Sequence, residues 1–325
     1  MALMTSLDVL KINNSEELVG LIDDVVQEIP ELQFFGASPV AKNTYKTLAL
    51  TGLPSTGFRE TGTLREFQSV TLENRTVTCK YLDASWTLEQ AIAQQSDWGE
   101  DFAKTLQARA HLKSAFYTLA KQIWHGVNND AYGFVGLDAF IAAVQDADQN
   151  EIMTVKANQS AQTLGTTVYA VRTGIDSCQL AWGSEGKFDE GDVVEQLLYE
   201  RSTTTEGEGA SAVTTLHTSG AWHYAQKLGG WVGLQTTSKY AAARITNLDV
   251  SGTNAGLDDD LLYQLIEKFP VGMKPNGIFM SRGSLAQLRQ SRTAYNAVGL
   301  PAPYPTDFEG IPIYVTDAIG NVAST

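Results

Sequence analysis

Cysteine is scarce: the chain of 325 residues holds two, Cys79 and Cys178. Two thiols so far apart give no disulfide framework and point to a reducing compartment in which both are packed side chains. Long apolar runs are missing as well, since no stretch approaches the ~20 residues of a membrane helix. The N-terminal MALMTSLDVLKINNSEEL has neither the basic flank nor the apolar segment of a signal peptide, so a cytosol-like setting is expected. Positive charge is short too: 23 Lys and Arg face 37 Asp and Glu, a formal charge of -14. Such a surface repels nucleic acid and anionic membrane, which argues against a phosphate-gripping groove. Histidine occurs four times, with no HExxH, no CxxC and no close His pair beside a carboxylate, so no metal site is expected. GxSxG and the Walker loop are absent.

What is there is an ordinary globular composition, 43% hydrophobic, long enough for two packed units at about 150 residues each. Asn14 with Glu17 forms a capping box ahead of Leu18, Ile22, Val25 and Ile29, an amphipathic helix that Pro30 stops. From Tyr45 to Trp86 two strand-like runs, YKTLALT and RTVTCKYLDASW, flank GLPSTGFRETGTLREFQS. This reads as a long hairpin arm with too few apolar positions on one face to make a core. It therefore needs something outside itself to lie on, because an isolated two-stranded ribbon is marginal in water. Ser96 or Asp97 caps a helix carrying Trp98, Phe102, Leu106, Ala110, Phe116, Ala120 and Ile123 and ending at Gly126. At 1.5 Å per residue it runs on the order of 40 Å, a spine. A short helix follows at Leu137, Phe140, Ile141 and Val144. Beyond Asn150 the period switches to two and strands dominate to Leu248, with a Gly-Ser-Glu-Gly turn after Trp182 and a loop expected over Thr203 to Ser211. A helix through Leu261 to Phe269, a strand at GIFM, a helix through Leu285 and Leu288 and a closing apolar strand complete the chain.

Several constellations bear on chemistry. Asp146, Asp148 and Asn150 begin like a calcium loop, but Glu151 and Ala157 stand where the Gly and the bidentate Glu are required. Gly207, Gly209 and Ala212 match a loose GxGxxA spacing with a polar Thr run where a buried strand is needed. Asp258, Asp259 and Asp260 open a helix, where the dipole favours them without an active site. Arg282, Arg289 and Arg292 read as a salt-bridging helix face. Tyr224, Trp231 and Trp222 are either a stacking platform for a sugar or core and contact residues. His111 and His125 belong to the spine helix. No catalytic, cofactor-binding or metal-binding residue is assigned, and no enzymatic activity is expected.

The order of VYAVRTG (Val168 to Gly174), GWVGLQTTSKYAAARITNLD (Gly230 to Asp249), GIFMSRGSLAQLRQ (Gly277 to Gln290) and the closing TDFEGIPIYVTDAI, behind a hairpin arm and a spine helix, resembles the major capsid proteins of tailed bacteriophages. The implied fold is α+β of the HK-ninety-seven type, with an N-terminal arm, an extended hairpin loop, a spine helix, and peripheral and axial subdomains. The resemblance divides the chain into 1–43, N-terminal arm and helix; 44–87, extended hairpin; 88–165, peripheral domain with spine helix; 166–250, β-rich segment; and 251–325, helix-strand-helix and closing strand. In one respect the order departs from the commonest capsid pattern, because the β segment precedes the helix-strand-helix unit.

The implied function is a structural subunit that self-assembles into pentamers and hexamers of an icosahedral shell around double-stranded DNA. Its location would be the virion capsid, with the host cytoplasm before assembly. Scaffold, portal and a decoration protein are the implied partners, with no cofactor and no membrane. An encapsulin-like compartment shell is the alternative within the fold, and a carbohydrate-binding or hydrolytic β-rich protein the alternative outside it. Arg59, Glu60, Arg65 and Glu66 at the arm tip are candidate intersubunit ion pairs. Lys46 and Lys80 lie on the arm, but no partner Asn can be placed, so no isopeptide crosslink is expected.

Overall fold

A computed structural model describes residues 27, 29–62, 64, 68–145, 150–158, 165–206, 213–250, 255–294 and 301–320. The expected helix before Pro30, the Asp146 and Asp148 cluster and the Gly207, Gly209 and Ala212 run therefore lie outside the described residues, Ile29 excepted. In chain order the strands are β1 (Ala37–Pro39), β2 (Thr44–Gly52), β3 (Thr71–Thr78), β4 (Lys80–Asp83), β5 (Trp86–Glu89), β6 (Thr154–Lys156), β7 (Gly165–Val171), β8 (Cys178–Trp182), β9 (Asp189–Glu190), β10 (Val194–Glu206), β11 (Val213–Gln226), β12 (Leu228–Thr236), β13 (Ala242–Asp249), β14 (Gly277–Met280), β15 (Asp307–Phe308) and β16 (Ile311–Val315). The longer helices are the spine (Glu100–His125), Asp259–Glu267 and Arg282–Ala294, and short ones cover Glu31–Phe34, Gln90–Gln94 and Leu137–Ala143.

The chain divides into two compact units. One contains residues 82–116 and 188–230. Its sheet runs β10-β11-β5, all antiparallel, and β10 with β11 forms a ribbon paired from Val194↔Ala225 to Glu206↔Val213. The loop expected over Thr203 to Ser211 is thus shorter than the sequence suggested, since Thr203–Glu206 is strand. Threonine is β-branched and suits a ladder, which overrides the polar character of the run. Trp86, Leu88, Ala103, Ala115, Tyr224 and Leu228 form this unit's core. Tyr224 ties the sheet to the start of the spine helix: its hydroxyl donates to Glu100 Oε2 at 2.7 Å, and Lys104 Nζ stands 3.8 Å above its ring.

The other unit contains residues 26–81, 117–187 and 231–325. Six strands in the order β15-β16-β14-β7-β13-β6 make its main sheet. Its central strands are buried on both faces, β14 from Gly277 to Met280 and β7 almost throughout, which is why GIFM and TVYAV read as continuous apolar runs. Against the sheet packs an aromatic cluster: Trp124 stacks on Tyr169 at 4.7 Å, Phe279 on Tyr314 at 5.1 Å, and Phe34 meets Phe279 edge-on at 4.8 Å. Gly277 permits that approach, because a Cβ there would fall 2.7 Å from the Phe34 ring. A second layer pairs β1 parallel to β8 and β8 antiparallel to β12.

The spine helix ends as its sequence predicts. Gly126 takes the left-handed conformation at φ 55, and a Cβ on it would sit 2.2 Å from the Gly136 backbone nitrogen. Only glycine fits both demands. The Asp259–Glu267 helix starts on Asp258, whose side chain accepts from the Leu261 N–H at 2.9 Å. Asp259 in its first turn is held by Arg292 at 2.7 Å, and Arg282 bonds Asp317 at 3.3 Å, so both arginines serve the salt-bridging face expected of them.

Candidate intersubunit surface

Strands β2 and β3 pair antiparallel from Thr44↔Thr78 to Leu50↔Leu72, with an irregularity before Gly52↔Thr71. Side chains alternate between faces, and directly opposed residues share one. One face carries Tyr45, Thr47 and Ala49 opposite Val77, Arg75 and Glu73; the other carries Lys46, Leu48 and Leu50 opposite Thr76, Asn74 and Leu72.

The first face lies on the same chain at its base. The Arg75 guanidinium donates to the Thr237 carbonyl, and Val77 comes so close to β12 that a Cβ at Gly233 would stand 3.1 Å from its Cγ1. Cys79, buried just beyond, points its thiol at the Ala181 carbonyl, and burial pushes that thiol up from its ordinary pKa. The ribbon thus finds at its base the support outside itself that its sequence calls for. Its base is seated in cis by residues the sequence pattern alone does not single out.

The second face is uncovered. Leu48, Leu50 and Leu72 are 59%, 56% and 51% exposed. Between the strands Leu53, Phe58 and Leu64 are exposed almost completely. The Ser55 N–H donates to Gln68 Oε1 at 3.1 Å, tying the two limbs of this tip together. Arg59 and Glu60 sit in the tip and are exposed, whereas Arg65 and Glu66 lie outside the described residues. The apolar side chains were the feature sequence reasoning missed. The signal was the Leu48–Leu50 spacing of two, which puts both leucines on one side of YKTLALT.

A half-buried charge cluster was not visible in the sequence either. Asp138 accepts from the Tyr169 hydroxyl at 2.6 Å and from Arg244 at 2.8 Å, and faces His125 Nδ1 at 3.3 Å. Arg244 also bonds Glu151 at 3.0 Å and Thr154 at 3.2 Å. Burial alone would raise the Asp138 carboxyl, but the bonds from His125 and Tyr169 and the Arg244 charge outweigh it and hold it below its usual value. The Asp138 contacts join the Leu137–Ala143 helix to the spine, β7 and β13, and the Arg244 contacts carry β13 on to Glu151 and β6, so the cluster works as a clamp. Of the aromatic residues that could make a sugar platform, Tyr224 is core and Trp231 packs on Tyr81 at 5.4 Å, whereas Trp222 is exposed on β11.

No group of metal-ligating side chains is present among the described residues, and no helix among them is long and apolar enough to cross a membrane. No protein-family model matches the chain, and no curated protein matches it. Solved structures do. A chain of the near-atomic-resolution structure of bacteriophage Epsilon15 superposes with a TM-score of 0.68 at 17% identity, over 100% of this chain and 97% of that one. Weaker likenesses are to a chain of the bacteriophage JBD30 capsid, TM-score 0.45 at 12% identity over 87% and 88% of the two chains, and to one of the native GTA particle capsid, 0.43 at 11% over 75% and 99%. The Epsilon15 likeness establishes the fold from end to end. It is a mixed helix-and-sheet fold, as the sequence resemblance implied, shared with a chain of a bacteriophage structure.

Proposed function

We propose that this protein is a tailed-phage shell subunit, assembling as pentamers and hexamers of itself around double-stranded DNA. The observation that carries the reading is the end-to-end likeness to a chain of a bacteriophage particle, over nearly the whole length of both chains. The ribbon adds physical support. A half-seated strand pair with an apolar outer face and an apolar tip gains most by lying across a neighbouring copy, where its open edges and leucines are both satisfied. Arg59 and Glu60, with Arg65 and Glu66, supply ion pairs to that contact. The charge of -14 suits a container, because a wall that repels DNA does not trap the polymer during filling. The subunit has no enzymatic role, works in the virion after passing through the host cytoplasm, and meets a scaffold, a portal and a decoration protein during assembly.

Electron microscopy of the purified protein, alone and with its scaffold, tests the reading. Closed shells or capsomer rings are expected. A chain that stays monomeric at every concentration with all helpers present overturns it. Shells that capture a cargo peptide and take no portal would replace it with an encapsulin-like compartment.

A further inference from the structure

Glu31 is fully buried, opening the short helix that brings Phe34 and Phe35 onto the aromatic cluster. Its Oε1 accepts from the Trp124 indole N–H at 2.8 Å and from the Thr316 hydroxyl. Its Oε2 is buried with no hydrogen-bond partner among the described residues. Nothing among these contacts supplies a positive charge. The charged group facing it is Asp317, beyond β16, whose own partner is Arg282 at 3.3 Å. On the spine helix, His125 beside Trp124 turns to Asp138, and Tyr169, stacked on Trp124, donates to the same Asp138.

An ionised carboxylate left with one bare oxygen in such a place is costly, whereas a neutral acid is far less so. We infer that Glu31 is a proton-dependent latch: with its carboxyl neutral it seats the Pro30–Phe35 turn against Trp124 and Thr316, and the seat loosens as the carboxyl ionises. Burial, helped by the Asp317 charge, raises the Glu31 pKa from its ordinary 4.5 against the opposing hydrogen bonds. The sign follows from that direction. A seated state that binds the proton more tightly is fully favoured below the ordinary carboxyl value, weakens as pH rises, and levels off above the raised value. The inference stands apart from the shell reading, since it concerns one turn of the subunit whatever it assembles into.

Hydrogen exchange followed by mass spectrometry on the full-length protein tests it, reading the peptide over residues 30–36 after correction for intrinsic rates. From about pH 5 upward, protection in the wild type should fall by up to about tenfold per pH unit before levelling, as release of one proton requires. In Glu31→Gln, whose amide carries no titrating proton, the same peptide should show no such slope. Equal slopes in the two proteins overturn the inference. Should the variant fail to fold, infrared titration of the wild type decides: a buried carboxylic-acid carbonyl band that disappears as pH rises supports the latch, and its absence from about pH 5 upward refutes it.

Discussion

Replacing Leu48, Leu50 and Leu72 together with threonine separates what the ribbon does within one subunit from what it does between two. Threonine keeps the β-branched character a strand favours, so the ladder of β2 and β3 is retained. Full burial of a leucine side chain is worth ~1.5–3 kcal/mol. These three keep 59%, 56% and 51% of their surface in the isolated subunit, so each has about 1 kcal/mol still to gain, and one ribbon about 3 kcal/mol. At 1.4 kcal/mol per decade, that is roughly a 100-fold weaker contact for each arm. Urea unfolding of the unassembled subunit should hardly change, by about 0.5 kcal/mol per site at most, because the side chains touch little in cis. The concentration needed for assembly should rise steeply, since every subunit loses its contact. A triple variant that assembles at wild-type concentrations refutes the argument. So does a subunit destabilised by more than about 2 kcal/mol, which would mean the leucines are packed within their own chain.

Removing residues 53–68, the tip with its exposed Leu53, Phe58 and Leu64, is expected to leave capsomers that do not close, visible as open rings in place of shells. Arg244→Met should cost about 3 kcal/mol in thermal or urea unfolding, because it strands the Asp138 and Glu151 carboxylates it now bonds. The folded-state pKa of Asp138 is depressed, so its contribution is present above the ordinary Asp value and lost as pH falls through the folded one; without Arg244 acid unfolding should begin at higher pH. Gly126→Ala should lower stability by at least about 2 kcal/mol, measured by calorimetry, since the left-handed conformation and the Gly136 backbone both oppose a Cβ.

Elements whose cause is local were legible in the sequence. The body of the spine helix, its stop at Gly126 and the strands β7 and β14 each follow from neighbouring residues, so period and punctuation were enough, although the helix starts at Glu100 and not behind Ser96 or Asp97. The clamp at Asp138 was not legible, because Arg244 lies 106 residues away and Tyr169 lies 31 away, and no local pattern announces such a meeting. Glu31 failed for the same reason, since Thr316 is 285 residues distant. At the candidate surface, charge drew attention to Arg59, Glu60, Arg65 and Glu66. The leucines went unnamed because the ribbon was read only as holding too few apolar positions to make a core.

The ribbon carries a physical lesson about how a strand pair can serve two masters. Successive residues point to opposite faces, so one stretch such as Tyr45 to Leu50 presents Tyr45, Thr47 and Ala49 to its own chain and Lys46, Leu48 and Leu50 away from it. Arg75 and Val77 fix the base in place, which removes much of the entropy that a free arm would lose on meeting a neighbour. In the proposed shell the outward leucines would add their burial to a contact whose geometry is already set. With β3 held by Val77 and Arg75, a one-residue slip of β2 would turn Leu48 and Leu50 inward and send Tyr45, Thr47 and Ala49 to the outer face. The cis anchor therefore holds the register on which any contact in trans depends.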